Sequence, residues 1–467
     1  MQQSTDKPAG PAFLTGSVMR HVLVMTSTGA VGLVSIFLAE LIDVLFLSML
    51  GDIEIVAAVG YSGPIVFLTV AAAIGLSIAT VSLVAPAVGA RDMARARRIS
   101  GSVHLLAFVT AAVLSLALLP FLPGLLGLIG AKGRTAELAL SYLYIVVPSL
   151  PPLASAMVSS AVLRSVGDAQ RAMHVTLGAA VVTVILDPIL IFGFDMGLQG
   201  AAIATVIARI VIMGIALHSV WRVHDLIEMP SLAGLRQDWR PVLAIALPAI
   251  ATNTATPIAN AIVTAAFAPF GDSAVAGWAV IGRVQPVAFG FVFAMSGSVG
   301  PIIGQNLGAR NYARMREAFT ASLKVVALYT LGAWLVLALL SGVLASLFKL
   351  TGDGAMLLWL YCLWLAPVFG FQGALFVCNA VFNTLRRPQV ATAINWSRAI
   401  LGTLPFTWIG GALIGVPGVL IGQLLGGVVF GLGAIWLCYR MLDDVAGDVR
   451  PMARDGGLVR EWLGTPY

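Results

Sequence analysis

Three carboxylates stand inside long apolar stretches of this 467-residue chain: Glu40, Asp43 and Asp187. An acid at membrane depth costs roughly 2.5–3.5 kcal/mol on insertion scales and by default marks an ion or proton pathway. Glu40 and Asp43 are three residues apart and share a helical face with Ile36 and Leu47. Two carboxylates so close in a low-dielectric site do not both ionise easily, and they titrate as a pair, which suits proton uptake near neutral pH. Asp187 lies in VVTVILDPILIFGF, directly before Pro188. Proline removes a backbone donor and is expected to leave the carbonyl of Thr183 without its usual partner. That carbonyl, the Thr183 hydroxyl and the Asp187 carboxylate would form an all-oxygen environment fit for a hard cation. Two blander readings compete. Glu40 and Asp43 could lie at a hydrated membrane surface, since Gly51-Asp52 closes the stretch, and Asp187 could serve only to bond a neighbouring helix at a kink.

The composition says what must position these acids. Hydrophobic residues make up 59% of the chain and charged ones 10%, with a mean hydropathy of +0.97, which excludes an ordinary water-soluble domain. Stretches long enough to cross a bilayer as helices occupy 22–50, 56–86, 99–122, 138–163, 173–194, 198–221, 241–267, 275–305, 320–348, 355–382, 390–410 and 417–440. Strand alternation is missing, which argues against a membrane barrel. The net charge of +6 does not indicate nucleic acid, because 22 of the 27 Lys and Arg fall at the N-terminus, in even-to-odd loops or the adjoining first helical turn, or in the tail. Lys132, Arg134 and Lys349 fall on the opposite side, so the positive-inside rule puts both termini in the cytoplasm.

The second half repeats the first. GARDMARAR (89–97) matches GARNYARMR (308–316) at six of nine positions and a spacing of 219. Pro148 matches Pro367 at that spacing, GLQGAAIAT (197–205) matches GVPGVLIGQ (415–423) one residue short of it, and Gly51-Asp52 corresponds to Gly271-Asp272. Six spans per repeat give both halves one orientation, related by an axis along the membrane normal and enclosing a central cavity. The expected organisation is an N-lobe (1–221) holding the cation site, a linker (222–240), a C-lobe (241–440) and a tail (441–467). The acids are not repeated: Phe406 stands where Asp187 does in the first half.

Arg209 and Arg283 also lie within spans, as counter-ions for the acids or as snorkelling side chains. With Asn260 and Met295, they are the candidate lining of a substrate cavity, beside FGFVF (289–293) and Trp278. Lipid-facing aromatics explain that run equally well. Cys362, Cys378 and Cys438 suggest neither disulfide nor zinc, the five histidines show no ligand spacing, and there is no P-loop. No cleavable signal is read at the N-terminus.

ELIDVLFLSMLGD, LRSVGDAQR (163–171) and ILDPILIFGFDMGLQGAAIAT (185–205) together resemble the multidrug and toxic compound extrusion (MATE) transporters over nearly the whole chain. Within them, the match is nearest the branch named for the DNA-damage-inducible transporter. The resemblance implies an all-α protein of twelve helices in two six-helix lobes, with efflux driven by inward Na⁺ or H⁺. It also implies a cation site at Asp43, Asp187, Thr205 and position 183. Where that family commonly has Asn, this chain has Thr183, and Thr28 stands near the family's usual proline. With Glu40 as an added acid, these departures favour H⁺ over Na⁺. The expectation is a bacterial inner-membrane antiporter that exports small amphipathic or cationic organic compounds. It would be no enzyme, act as a monomer and need no cofactor. The rivals are a lipid-linked precursor flippase, which should carry more basic residues in its cavity, and a major facilitator transporter, whose loop motif is not met at Gly89 and Asp92. A membrane-embedded transferase would need paired Asp motifs in its loops.

Overall fold

In lipid, a backbone can satisfy its polar groups within one segment only as a helix. The computed structural model, which describes residues 10–447 except Lys349, is all-helical. Among the described residues twelve passages follow one another: α1 (Val18–Ser48), α2 (Ile53–Gly89), α3 (Met93–Ile129), α4 (Gly133–Val166), α5 (Ala169–Gly193) and α6 (Gly197–Val223) form the first lobe. The second comprises α7 (Leu232–Phe270), α8 (Ser273–Ala288 with Gly290–Gly308), α9 (Tyr312–Leu347), α10 (Gly352–Thr384), α11 (388–414) and α12 (Val416–Gly447). Ten are long and apolar enough to cross a bilayer unbroken, so the chain is a multi-pass membrane protein.

Three expected spans differ in detail. The stretch 275–305 is not one helix, because α8 bends by 52° at Phe289. The stretch 390–410 is wound as helix, π turn (Arg398–Thr403) and helix. Several helices also start well before the apolar run does, because capping side chains rather than hydropathy set the first turn. Asp92 caps α3 by accepting from Arg95 N (3.0 Å), and Ser231 starts α7 by accepting from Gly234 N (3.0 Å). At the other end of the chain α12 stays helical to Gly447, past the expected start of the tail; residues 448–467 and Lys349 lie outside the described residues.

The repeated GAR motif now has a structural reason. Arg91 and Arg310, 219 residues apart, both take the left-handed backbone (φ 61° and 55°) that turns the chain out of one helix. Asp92 and Asn311 then cap the next, each accepting from the arginine three residues on. The arginine-rich turns gather at one end of the bundle, hereafter the basic end, where Arg95, Arg98, Glu228 and Arg386 line a common groove of about 630 Å³. At the opposite end Arg134 pairs with Asp52 (2.8 Å) and Glu54 (2.7 Å).

The lobes meet around the repeat axis. A Cβ on Gly89 would collide with the backbone of Gln305, and one on Gly308 with the carbonyl of Pro86. Each glycine thus faces the repeat counterpart of the other's neighbour, 219 residues away. Only a residue without Cβ lets the two backbones approach so closely. Around this crossing the fully buried Gln305 donates to Ser165 O (2.7 Å) and accepts from Phe13 N (2.9 Å). Arg314 holds the carbonyls of Phe13, Thr15 and Gly16 at 2.8–2.9 Å. The first helix of each lobe also packs into the other: Val18, Val22 and Met25 of α1 join the second lobe's core, and Val242, Ile245 and Ala246 of α7 join the first's. These contacts extend up to Val34 against Gly290 and Gly75 against Ile250, near the middle of the helices. Beyond that level Leu38 and Leu41 of α1 are 55% and 67% exposed.

Candidate functional site

α1 and α5 both run away from the basic end, so they are parallel. Gly32 of α1 packs so tightly on Thr176 of α5 that a Cβ would overlap its hydroxyl. Asp43 lies eleven residues after Gly32, and Asp187 eleven after Thr176. Eleven residues are close to three full turns and about 16 Å of rise, so both acids return to the contact face at the same height. That register brings two residues 144 positions apart within electrostatic reach of each other.

Asp187 is fully buried, and among the described residues neither of its carboxylate oxygens has a hydrogen-bond partner. Asp43 is half-buried, and its Oδ1 is likewise unpartnered. Beside them stands Tyr142 of α4, nearly buried, with Thr205, Asp43, Arg209 and Asp187 around it. Thr205 itself donates to Ala201 O (3.1 Å). Thr183 is half-buried one turn before Asp187. The carbonyl freed by Pro188 is not its own, however: counting four residues back reaches Val184. After Pro188 the helix continues as a π turn, Ile189–Gly193.

Arg209 takes neither of its expected roles. It is buried, and among the described residues it pairs with no acid; its Nη1 donates to Val146 O (3.2 Å) and Ser149 Oγ (2.9 Å). The reason lies in α4. Pro148 breaks that helix into a 3₁₀ turn over Val147–Ser149, in which Leu150 N bonds Val147 O and leaves Val146 O open to the guanidinium. The arginine thus braces α6 against α4 behind the acids.

Other candidates fall elsewhere. Glu40 is exposed, close enough to act electrostatically on Asp43 but not enclosed with it. Asn260 and Arg283 are exposed on α7 and α8. Met295 is 0% exposed within the second lobe's core, so in this conformation it lines no open cavity, and Trp278 is buried with its indole N–H on Thr264 (3.2 Å). Tyr142 escaped the sequence reading because a tyrosine in an apolar helix is ordinary. The pointer to it was indirect: an intramembrane arginine such as Arg209 needs polar neighbours, and SYLYIVVPSL offers them. Two more cations, which position alone groups with the basic loops and the helical turns beside them, prove to lie inside the bundle. Arg398 is 6% exposed, with Nε and Nη2 unpartnered, and Arg164 reaches inward from the end of α4.

Among the described residues no three His, Cys, Asp or Glu side chains come together as a metal cluster. The acid pair, with the hydroxyls of Thr205 and Tyr142, can accept a proton, or can surround a hard monovalent cation with oxygen. Either event would neutralise a buried charge that the fold leaves unpaired.

Comparison with known proteins agrees with this fold. The sequence model of the MatE family matches residues 30–189 and again 248–409, two copies in register with the internal repeat. The FAD transporter of Shewanella oneidensis is 30% identical over 440 residues, covering 92% of this chain and 97% of that protein. The multidrug export protein MepA of Staphylococcus aureus is 21% identical over 417 residues, 87% of this chain and 90% of its own length. Among solved structures, a mutant form of the Vibrio cholerae MATE transporter VcmN superposes with a TM-score of 0.85 at 28% identity, covering 91% of this chain and 96% of that one. With two matched repeats, twelve helices in two lobes and transporters among its relatives, the chain belongs to the MatE family.

Proposed function

We propose that this protein is a secondary antiporter that exports small organic compounds by alternating access, driven by inward H⁺, with Na⁺ as the alternative ion. The observation that carries the reading is Asp187: a fully buried carboxylate whose oxygens have no partner among the described residues, set at the height of a second, half-buried acid, Asp43. Charged and unpaired, it is expensive to bury; a proton or cation removes that cost. Ion binding therefore favours whichever lobe arrangement encloses the pair, and only such a difference in affinity can move the equilibrium. In this scheme Asp43 and Asp187 take up the ion, Thr205 and Thr183 supply neutral oxygens, Tyr142 stands beside them, and Glu40 acts at most on the approach. Thr183 in place of a side-chain amide favours H⁺.

The same reading places the chain in a bacterial inner membrane as a monomer, with the basic end and both termini in the cytoplasm and the lobe boundary within 222–240. The arginine-rich turns support that orientation. The sequence argument gave amphipathic or cationic cargo. The relatives widen the range, because one is named for multidrug export and another for FAD, an anionic dinucleotide. The flippase and major facilitator alternatives draw no support from the relatives.

The test is substrate counterflow in proteoliposomes under an imposed pH or Na⁺ gradient, comparing wild type with Asp187→Asn and Asp43→Asn. Loss of gradient-driven flux in both variants is expected, and the gradient that drives wild type names the ion. Full driven transport by both would refute the assignment.

A further inference from the structure

Arg164 sits in the last turn of α4, where an arginine ordinarily serves the helix C-terminus. Here that service is already done: Gly167 N and Asp168 N bond the carbonyls of Arg164 and Leu163. The side chain instead runs back along the helix towards the membrane interior, the direction helical side chains favour. Its guanidinium comes to Ser77 Oγ of α2 (3.4 Å), and its Nε lies 3.8 Å from where a Cβ on Gly297 of α8 would stand. Ser77 is twelve residues from the basic end of α2, about 18 Å of helix. The cation is therefore held between the lobes, inward of the end of α4. The level matches the top of the lobe-to-lobe seal, where Gly75 meets Ile250.

Nothing in the described protein neutralises it. Arg164 makes no ion pair there, its Nε is buried without a partner, and its single hydrogen bond is the long one to Ser77. Nor does the scaffold need a charge at this place, since the second repeat has Asn383 there, 219 residues on. An unpaired cation at membrane depth is a functional position by default. Beside it Ser77 accepts from the guanidinium and donates on to Met157 O (3.4 Å). A guanidinium fork with unused donors matches a tetrahedral oxyanion.

We propose that Arg164 is the anchor for a phosphate group carried by a small organic substrate, bound between the lobes where the seal ends. This names the substrate class of the exporter proposed above and rests on that reading for the direction of transport. The anion and the coupling ion are kept apart, the first on the inter-lobe face of α4 and the second behind α1.

Binding can be tested without any gradient, so failure of transport and failure of this site are distinguishable. Riboflavin and riboflavin 5′-phosphate share one fluorescent ring and differ only in the phosphate. Fluorescence anisotropy with the purified full-length protein in detergent should show the phosphate ester binding about 10- to 100-fold more tightly, the range for a charge-assisted contact. That preference should shrink with added salt and vanish in Arg164→Gln, while Arg164→Lys keeps part of it. No preference in wild type, or an undiminished preference in Arg164→Gln, overturns the proposal. Should Arg164→Gln fail to fold, the wild-type preference and its salt dependence still decide. Preferential binding without gradient-driven flux would leave Arg164 assigned and sink the antiporter reading instead.

Discussion

Gly308→Ala should open the basic end of the molecule. A Cβ added there would overlap the carbonyl of Pro86 and come within 3.0 Å of Ala90 N, and both obstacles are backbone. No flexible side chain can swing aside, so α2 and α8 must part by roughly 1 Å or more to restore ordinary contact. Overpacking of this kind costs about 1–3 kcal/mol. The cost falls only on the arrangement in which the lobes touch, so the ratio of sealed to open molecules should drop by about 5- to 150-fold. Gly89→Ala, against the backbone of Gln305, should do the same. The readout is the distance between spin labels on Ala94→Cys and Ala313→Cys, exposed positions that correspond in the two repeats. Cys362, Cys378 and Cys438 are buried and should stay unlabelled. Pulsed dipolar spectroscopy in liposomes should show a longer-distance population in the glycine variants. An unchanged distribution in a folded, fully labelled variant would mean that the crossing is not the seal.

Two further outcomes follow from charges outside the ion site. Asp168, in the turn between α4 and α5, accepts from His224 (2.8 Å) and from the backbone and side chain of Arg171 (3.0 and 2.6 Å). Burial pushes its carboxyl up, but those hydrogen bonds outweigh it and hold the group well below the usual range. A depressed carboxyl contributes stability above its unfolded value, near pH 3.9, that is lost as pH falls towards its folded value. Asp168→Asn should therefore cost about 1.5–3 kcal/mol at pH 7 and flatten the acid limb of the melting curve; equal melting midpoints at pH 7 would rule this out. Arg398, buried in α11 with two unpartnered nitrogens, should be replaceable by Met with a gain of about 1–3 kcal/mol in detergent; a lower melting midpoint would show that the guanidinium is satisfied in the folded protein.

What could be read in advance was what periodicity and repetition encode. Hydropathy marks where a chain must be helical in lipid, and a 219-residue repeat survives as long as its turns need the same backbone, as Arg91 and Arg310 show. Asp43 and Asp187 stood out because apolar neighbours make an acid conspicuous. Cations near a basic loop are ordinary, so Arg164 and Arg398 read as part of the basic side, and only the packed structure shows that Arg398 is buried in α11 and that Arg164 reaches inward. The bend at Phe289 has no proline at its vertex to announce it, although Pro286 lies three residues before. Met295, buried in this conformation, is hard to place for a related reason: a methionine in a small-residue helix reads the same whether it faces a cavity or a core.

The division of labour between the halves follows from cost. The seal needs only close backbones, which a duplicated scaffold supplies twice over, at Gly89 and Gly308. A buried, unpaired acid pair is a different matter, because each copy subtracts stability until an ion arrives. One copy suffices if a single element connects it to the seal, and α1 has that geometry. Its first turns pack into the second lobe through Val18, Val22 and Met25, while its far half carries Asp43 against the first lobe's Asp187. On the proposed mechanism, an ion that draws Asp43 and Asp187 together changes how α1 lies on α5 and therefore how firmly its other end holds α8. A second acid pair on α7 and α11 would add cost without adding a direction. Phe406 in the place of Asp187 is consistent with a fold that spends its electrostatic strain in one lobe and uses the other as the partner it moves against.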